Sequence, residues 1–207
     1  MADVHGSPQA LDWVRRTAPR YDAVIVGGDL AKGGTEGFSK EFLEGAGEGG
    51  MKVFFVHGNW DPPDVEVPGG IISLHGRTRM IGKYSIGGLG GSGPTPGRGP
   101  FEMDDAGARS VLDKLGHVDV LVSHSPPLRT KCDRAKTGHI GSLPVREYVE
   151  REVPAIVLSG HVHEGRAVDH LGGSTIVNPG ALLAGNFAEV ILDGIISVEL
   201  KADGGWT

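Results

Sequence analysis

Cysteine occurs once in the 207 residues, at Cys132, so no intrachain disulfide can form, and neither a zinc-knuckle spacing nor a CxxC redox pair exists. The default this implies is a cytoplasmic setting, with Cys132 an ordinary thiol. No apolar run approaches the roughly 18 residues that span a bilayer, and Met1-Ala2-Asp3-Val4-His5-Gly6 lacks the basic-then-apolar pattern of a leader. No membrane partner is expected. Positive charge is short as well: 20 Lys and Arg stand against 26 Asp and Glu, a net charge of -6, which argues against an extended nucleic-acid surface. An anionic substrate would need local cations, and metal ions could supply them. Repeats and low-complexity tracts are absent, and the length suits a single domain, residues 1–207, around one buried core.

Glycine, by contrast, is abundant: 35 residues without a collagen-like period, clustered after apolar runs, as turns at a loop-rich site would be. Ser7-Pro8 reads as the N-cap and first position of a helix that carries Leu11 and Val14 and stops near Pro19. Thr35 caps a second helix to about Leu43, with Phe38 and Phe42 on one face. Asp104 caps a third to about Leu115, and Ser142-Leu143-Pro144 opens a fourth to about Glu152. Strands are expected over 21–26, 51–56, 118–122 and 156–158. Segments 71–80 and 83–89 read as an antiparallel hairpin about Gly82, which makes the sheet mixed. Segments 166–170 and 175–178 form another hairpin, Asn178-Pro179-Gly180 a turn, and 187–192 with 195–200 a last hairpin on Asp193-Gly194. Residues 90–100 are an ordered surface loop, and 202–207 a frayed end.

The strands finish alike. After Leu158 come Ser159-Gly160-His161-Val162-His163; in extended chain, residues i and i+2 project to one side, so both histidines converge on one site and Gly160 leaves them room. Segment 21–26 ends in Gly27-Gly28-Asp29, 51–56 in His57-Gly58-Asn59-Trp60-Asp61, and 118–122 in Ser123-His124, while the chain opens on Asp3-Val4-His5. The carboxyl ends of such strands are where α/β sheets place ligands. Asp3, His5, Asp29, Asn59, His124, His161 and His163 offer oxygen and nitrogen and no thiolate. That mix suits borderline to hard divalent ions, Mn²⁺, Fe²⁺, Ni²⁺ or Zn²⁺, and seven side chains are too many for one four-coordinate zinc. Two metals are the natural reading. A carboxylate between two ions about 3.5–4 Å apart lets them share a hydroxide and clamp the phosphoryl oxygens.

Taken in order, Asp3-Val4-His5, Gly28-Asp29, Gly58-Asn59-Trp60-Asp61, His124 and Gly160-His161-Val162-His163 resemble the motifs of the calcineurin-like metallophosphoesterases. The resemblance covers nearly the whole chain. Gly58-Asn59-Trp60-Asp61-Pro62-Pro63, Leu74-His75-Gly76 and Gly138-His139-Ile140-Gly141-Ser142 look most like compact prokaryotic, especially archaeal, predicted phosphoesterases. What it implies is an α/β fold of four layers, two packed mixed sheets flanked by helices. It also implies that Asp3, His5 and His163 hold a first metal, that Asn59, His124 and His161 hold a second, and that Asp29 bridges them, with manganese favoured. Asp29, Asn59 and His124 would thereby belong to the catalytic set. The implied activity is hydrolysis of small phosphodiesters by a metal-bridging hydroxide. Phosphomonoester hydrolysis is the alternative, as is a protein-binding scaffold like the retromer coat subunit that resembles this fold, although retention of all seven ligand types weighs against the scaffold.

Two departures from the family pattern matter. Many relatives carry histidine between the Asn and Asp of the third motif, where it protonates the leaving group; here Trp60 stands there, and indole cannot do that work. His139, on a basic loop with Arg129, Lys131, Arg134 and Lys136, is the substitute candidate ahead of His57; His75, His117 and His170 carry no assigned role. Relatives also begin with a buried apolar strand leading into Asp-x-His, whereas only Met1 and Ala2 precede Asp3. The first core strand is therefore expected to be missing or truncated, favouring a start internal to a longer natural chain over a protein that does without the strand. Asp3 and His5 would then sit on a fraying terminus, the first metal would bind more weakly, and the unpaired edge would invite homo-oligomers.

Overall fold

Successive strand residues face opposite sides, and that parity sorts the apolar side chains into separate cores. The structure, a computed structural model, describes residues 1–31, 36–63, 65 and 67–204, without the side chain of Glu36. Its helices are α1 Pro8–Thr17, α2 Glu36–Ala46, α3 Asp105–Leu115 and α4 Leu143–Glu152. Ser7, Asp104 and Ser142 cap three of them as expected, each accepting from a backbone N–H three residues on; Thr35 lies outside the described residues.

Strands β1 Ala23–Val26, β2 Lys52–Phe55 and β3 Ile71–Ser73 pair in parallel in that order. From β1 and β2, Val24, Val26, Val53 and Phe55 pack against α1 and α2, while Phe54, with Ala23 and Ile25, faces inward. A larger sheet holds β4 Thr78–Ile81, β5 Tyr84–Leu89 and β6 Val120–Ser123. After the short pair β7 Arg134–Ala135 and β8 Gly138–His139, it is completed by β9 Ile156–Leu158, β10 Ala167–Leu171 and β11 Ser174–Asn178. Its order is β10-β11-β9-β6-β5-β4. Leu121, Val157 and Ile176 meet α3 and α4, whereas Val120, Val122, Ile156 and Val177 meet the small sheet. The result is helix, sheet, sheet, helix. The final hairpin, β12 Asn186–Asp193 with β13 Ile195–Ala202, sends Ala188, Val190 and Leu192 into the space between the sheets. Among the described residues, no helix is long and apolar enough to cross a membrane.

The four layers hold, with refinements. The larger sheet is mixed, but the three strands of the smaller one are all parallel. Segment 71–80 is not one strand: Ile71–Ser73 belongs to the small sheet, and Thr78–Ile81 forms the hairpin with β5 in the large one. Between them Leu74 N–H donates to Phe55 and Gly76 N–H to Gly88, with Gly76 at φ 64°, so the chain crosses from sheet to sheet within four residues. The basic loop contains the β7–β8 pair, and Ala202 and Asp203 are hydrogen-bonded where fraying was expected.

The amino-terminal residues are held on both flanks. Met1 N–H donates to Ile25, Gly27 N–H donates to Met1 and Asp3 N–H to Gly28, while Leu182 and Leu183 donate to Ala2 and Asp3 from the other side. The stub thus runs parallel to β1, which corrects the expectation of fraying. Beyond it lies a cavity of about 770 Å³ lined by Tyr21–Ile25, Val122, Ile156 and Leu158, and by β12. Among the described residues, β1 pairs with β2 and β12 with β13, and no further strand joins either of them. Burial of the Met1 amino group pushes its pKa down to about 6.

The slot lies beside β1 and is lined largely by apolar side chains. Appending three alternating Val and Ile residues before Met1 should bury about 1.5–3 kcal/mol of side chain each against about 1–2 kcal/mol of backbone ordering. A melting temperature higher by about 5 °C is expected, with no gain from a Gly-Ser extension of equal length; equal behaviour of the two extensions would refute the slot.

Candidate metal centre

Parallel strands leave their carboxyl ends on one edge, and the turns that follow β1, β2, β6 and β9 deliver Asp29, Asn59, His124, His161 and His163 there. The amino-terminal stub brings Asp3 and His5. Side-chain atoms of Asp3, His5 and His163 all lie within 4.8 Å of one another, and so do those of Asp29, His124 and His161. Asn59 joins the second group, its Oδ1 3.1 Å from His124 Nε2. Asp29 stands between the groups: Oδ2 is 3.8 Å from His5 Nε2 and Oδ1 is 3.5 Å from His124 Nε2. Asp3, Asp29 and His124 are buried, His5 and His161 half-buried, and His163 exposed, so the cluster opens to solvent on the His163 side.

The backbone is bent to achieve this. Asp3, His5, Asp29 and His161 have φ of 58°, 48°, 52° and 65°, four of the seven non-glycine residues described with left-handed φ. Such strain persists where the surroundings over-determine it. The value at His161 corrects the extended reading of His161-Val162-His163. The strand ends at Leu158, His163 begins a 3₁₀ turn, and the two imidazoles go to different groups. Gly58 is required because a side chain there would overlap the Asp29 carboxylate.

The donor set fits divalent ions. The Nε2 atoms of His5 and His163 face each other at 3.1 Å, an approach that two lone pairs tolerate only with a proton or cation between them. His124 Nδ1 is 2.7 Å from the Gly27 carbonyl; that contact places a proton on Nδ1 and leaves Nε2 for a metal.

A family profile described as calcineurin-like phosphoesterase matches residues 1–165. The chain belongs to that family. It is therefore a metal-dependent hydrolase of phosphate esters. An uncharacterized protein of Methanocaldococcus jannaschii is 31% identical over 195 residues, 86% of this chain and 85% of that one. A solved structure from Thermus thermophilus aligns with a TM-score of 0.71 at 17% identity, covering 98% of this chain and 96% of that one. The phosphopantetheinyl hydrolase of Mycobacterium tuberculosis aligns with a TM-score of 0.58 at 16% identity, covering 87% and 88%. Both structures share the fold.

In this phosphoesterase, charge couples the second group. Burial works against the charged His124, but the adjoining Asp29 carboxylate outweighs it and lifts the imidazole to about 9. Burial likewise opposes the Asp29 charge, yet His124 and the Trp60 N–H at 2.9 Å hold its carboxyl at about 2. Burial and the neighbouring His124 push His161 down to about 4.

The other histidines separate clearly. His57 is enclosed by the rings of Phe55 and Phe101, at 5.0 and 6.0 Å. His75 Nδ1 accepts from Gly90 N–H. His139 lies outside both ligand groups, on β8. Three supporting residues escaped the sequence reading. Buried Asp61 accepts from Leu30, Ala31 and Gly58 N–H and so locks the turns of Asp29 and Asn59 together. Asn178, read as a turn residue, is buried and its amide donates to the carbonyls of Cys132, Gly160 and Val162. Asp133 orders the basic loop. The one available signal was an Asp or Asn in a turn-like stretch, too common to single out.

The His124–Asp29 pair predicts a pH signature in chelator-treated protein. A folded pKa of about 9 against an unfolded 6.5 gives His124 a stabilisation fully present below pH 6.5 and lost as pH rises through 9, on the order of 3 kcal/mol at most. The melting-temperature advantage of wild type over His124→Gln should shrink between pH 6.5 and 9; an unchanged difference would contradict the pairing.

Proposed function

We propose that the chain hydrolyses small phosphodiesters at a centre of two divalent ions, manganese favoured, with iron, nickel or zinc able to occupy it. The observation that carries this reading is Asp29, whose two oxygens are turned toward different ligand groups, the position of a bridging carboxylate. Asp3, His5 and His163 would hold one ion, and Asn59, His124 and His161 the other. Bound there, two ions supply Lewis-acid charge and lower the pKa of water.

The chain's own residues set what that charge can do. Asp3 accepts His161 N–H at 3.1 Å on both oxygens, which ties the first group to the second. Asn59 Oδ1 lies 3.1 Å from His124 Nε2, so the two side chains would act together on a phosphoryl group bound at the second ion. Trp60, half-buried and packed against Gly97, offers no exchangeable acid in the next position, so the site favours esters whose leaving group needs little protonation. One structural neighbour is named a phosphopantetheinyl hydrolase, a name that agrees with hydrolysis of a phosphate-bearing substrate.

Asp29→Asn should abolish turnover and leave the fold intact, since the amide brings no negative charge to share; wild-type rates in saturating Mn²⁺ would refute the bridge. An aryl phosphodiester should be cleaved at least about tenfold faster than an alkyl one, because an aryl leaving group departs without needing a proton, whereas general acid catalysis contributes about 10²–10⁴-fold where a proton is needed. Exclusive hydrolysis of the matching monoester would reassign the substrate class.

A further inference from the structure

The segment 128–142 is a closed loop that starts four residues after His124. Its base is closed by Leu128 N–H to Ser142 and Ser142 N–H to Pro126. Across the centre, the side-chain amide of Asn178 donates to Cys132 at 3.0 Å and also to Gly160 and Val162, the residues flanking His161. Gly165 has no side chain because one would overlap the Cys132 carbonyl. Strand β7 accordingly packs beside the turn His163–Gly165, and His139 pairs with Arg134 across the β7–β8 hairpin. The loop is therefore fastened to the two turns that carry His124, His161 and His163.

Within it, Asp133 is fully buried and engaged at both oxygens. Oδ2 accepts from Arg129 and Gly141 N–H at 2.9 and 3.0 Å, and Oδ1 from Thr130 N–H at 2.9 Å. Oδ1 also stands 2.7 Å from His139 Nδ1. A buried carboxylate on Nδ1 fixes the ring's tautomer and orientation, and it leaves Nε2 outward on a side chain that is 34% exposed.

We propose that His139 is the proton donor to the leaving group in the reaction above, with Asp133 its positioning residue. The proposal rests on the phosphodiesterase reading of the metal centre. As a water-derived oxygen bonds to phosphorus and the ester P–O bond breaks, the electron pair of the broken bond stays on the departing oxygen, which takes the proton on His139 Nε2. The ring is left neutral, keeping its Nδ1 proton as a hydrogen bond to the Asp133 carboxylate, and Nε2 is reprotonated from solvent. Trp60 makes such a donor necessary for alkyl esters and unnecessary for aryl ones.

The test uses the full chain loaded with Mn²⁺ and paired aryl and alkyl diesters. His139→Gln should lower kcat for the alkyl ester by about 100-fold, the lower range of general acid catalysis, with aryl turnover kept within about twofold. Asp133→Asn should show the same split in smaller degree at unchanged metal content. Added imidazole should restore part of the alkyl rate in His139→Ala, which a structural role would not allow. Equal losses on both esters, or an unaltered alkyl rate in His139→Gln, would overturn the donor assignment while leaving the metal centre standing. Loss of aryl turnover in wild type would instead sink the phosphodiesterase reading itself.

Discussion

A single carboxylate, that of Asp29, sits where two sets of nitrogen and oxygen ligands meet, and most of the fold's irregular features exist to keep it there. It is buried and ionised, a state that costs several kcal/mol unless partners compensate. His124 and the Trp60 amide do so in the chelated protein; divalent ions would do so in the loaded one. Around it, Gly28 and Gly58 are small because a methyl at either would strike the neighbouring turn or the carboxylate, Gly28 also having φ 96°. Asp61 clamps the turns of Asp29 and Asn59 into one body. The left-handed φ values of Asp3, His5, Asp29 and His161 are offset by this network.

The architecture serves the same point. Parallel pairing in the small sheet and across β5, β6 and β9 puts all the relevant strand ends on one edge. The apolar layers behind that edge make it rigid, since Val120, Val122 and Ile156 are locked between the sheets while Leu121 and Val157 anchor α3 and α4. Asn178 then carries order sideways, from the large sheet to the ligand turn and the basic loop. Rigidity is needed because a misplacement of about 1 Å in such a site costs about 100-fold in rate.

Much of this was legible in the residues. The strand-end side chains that the structure gathers into two groups stood out by chemical type, and the caps Ser7, Asp104 and Ser142 marked helix starts to within a residue. What stayed hidden depends on partners remote in sequence. Asp3 and His5 looked like a fraying end because the carbonyls and amides that hold them belong to Gly28, Asp29, Leu182 and Leu183. The separation of His161 from His163 follows from one left-handed residue, which alternation cannot predict. The break at Leu74–Arg77 exists because two sheets, not one, receive that segment. Asp133 and Asn178 bind mostly backbone groups, so neither their type nor their spacing distinguishes them from turn residues.

The central claim is that one carboxylate is shared by two ions. Crystals soaked in Mn²⁺ and measured for anomalous scattering should give two peaks, about 3.5–4 Å apart, with an Asp29 oxygen directed at each. A single peak, or two peaks with Asp29 coordinating only one of them, would contradict the account.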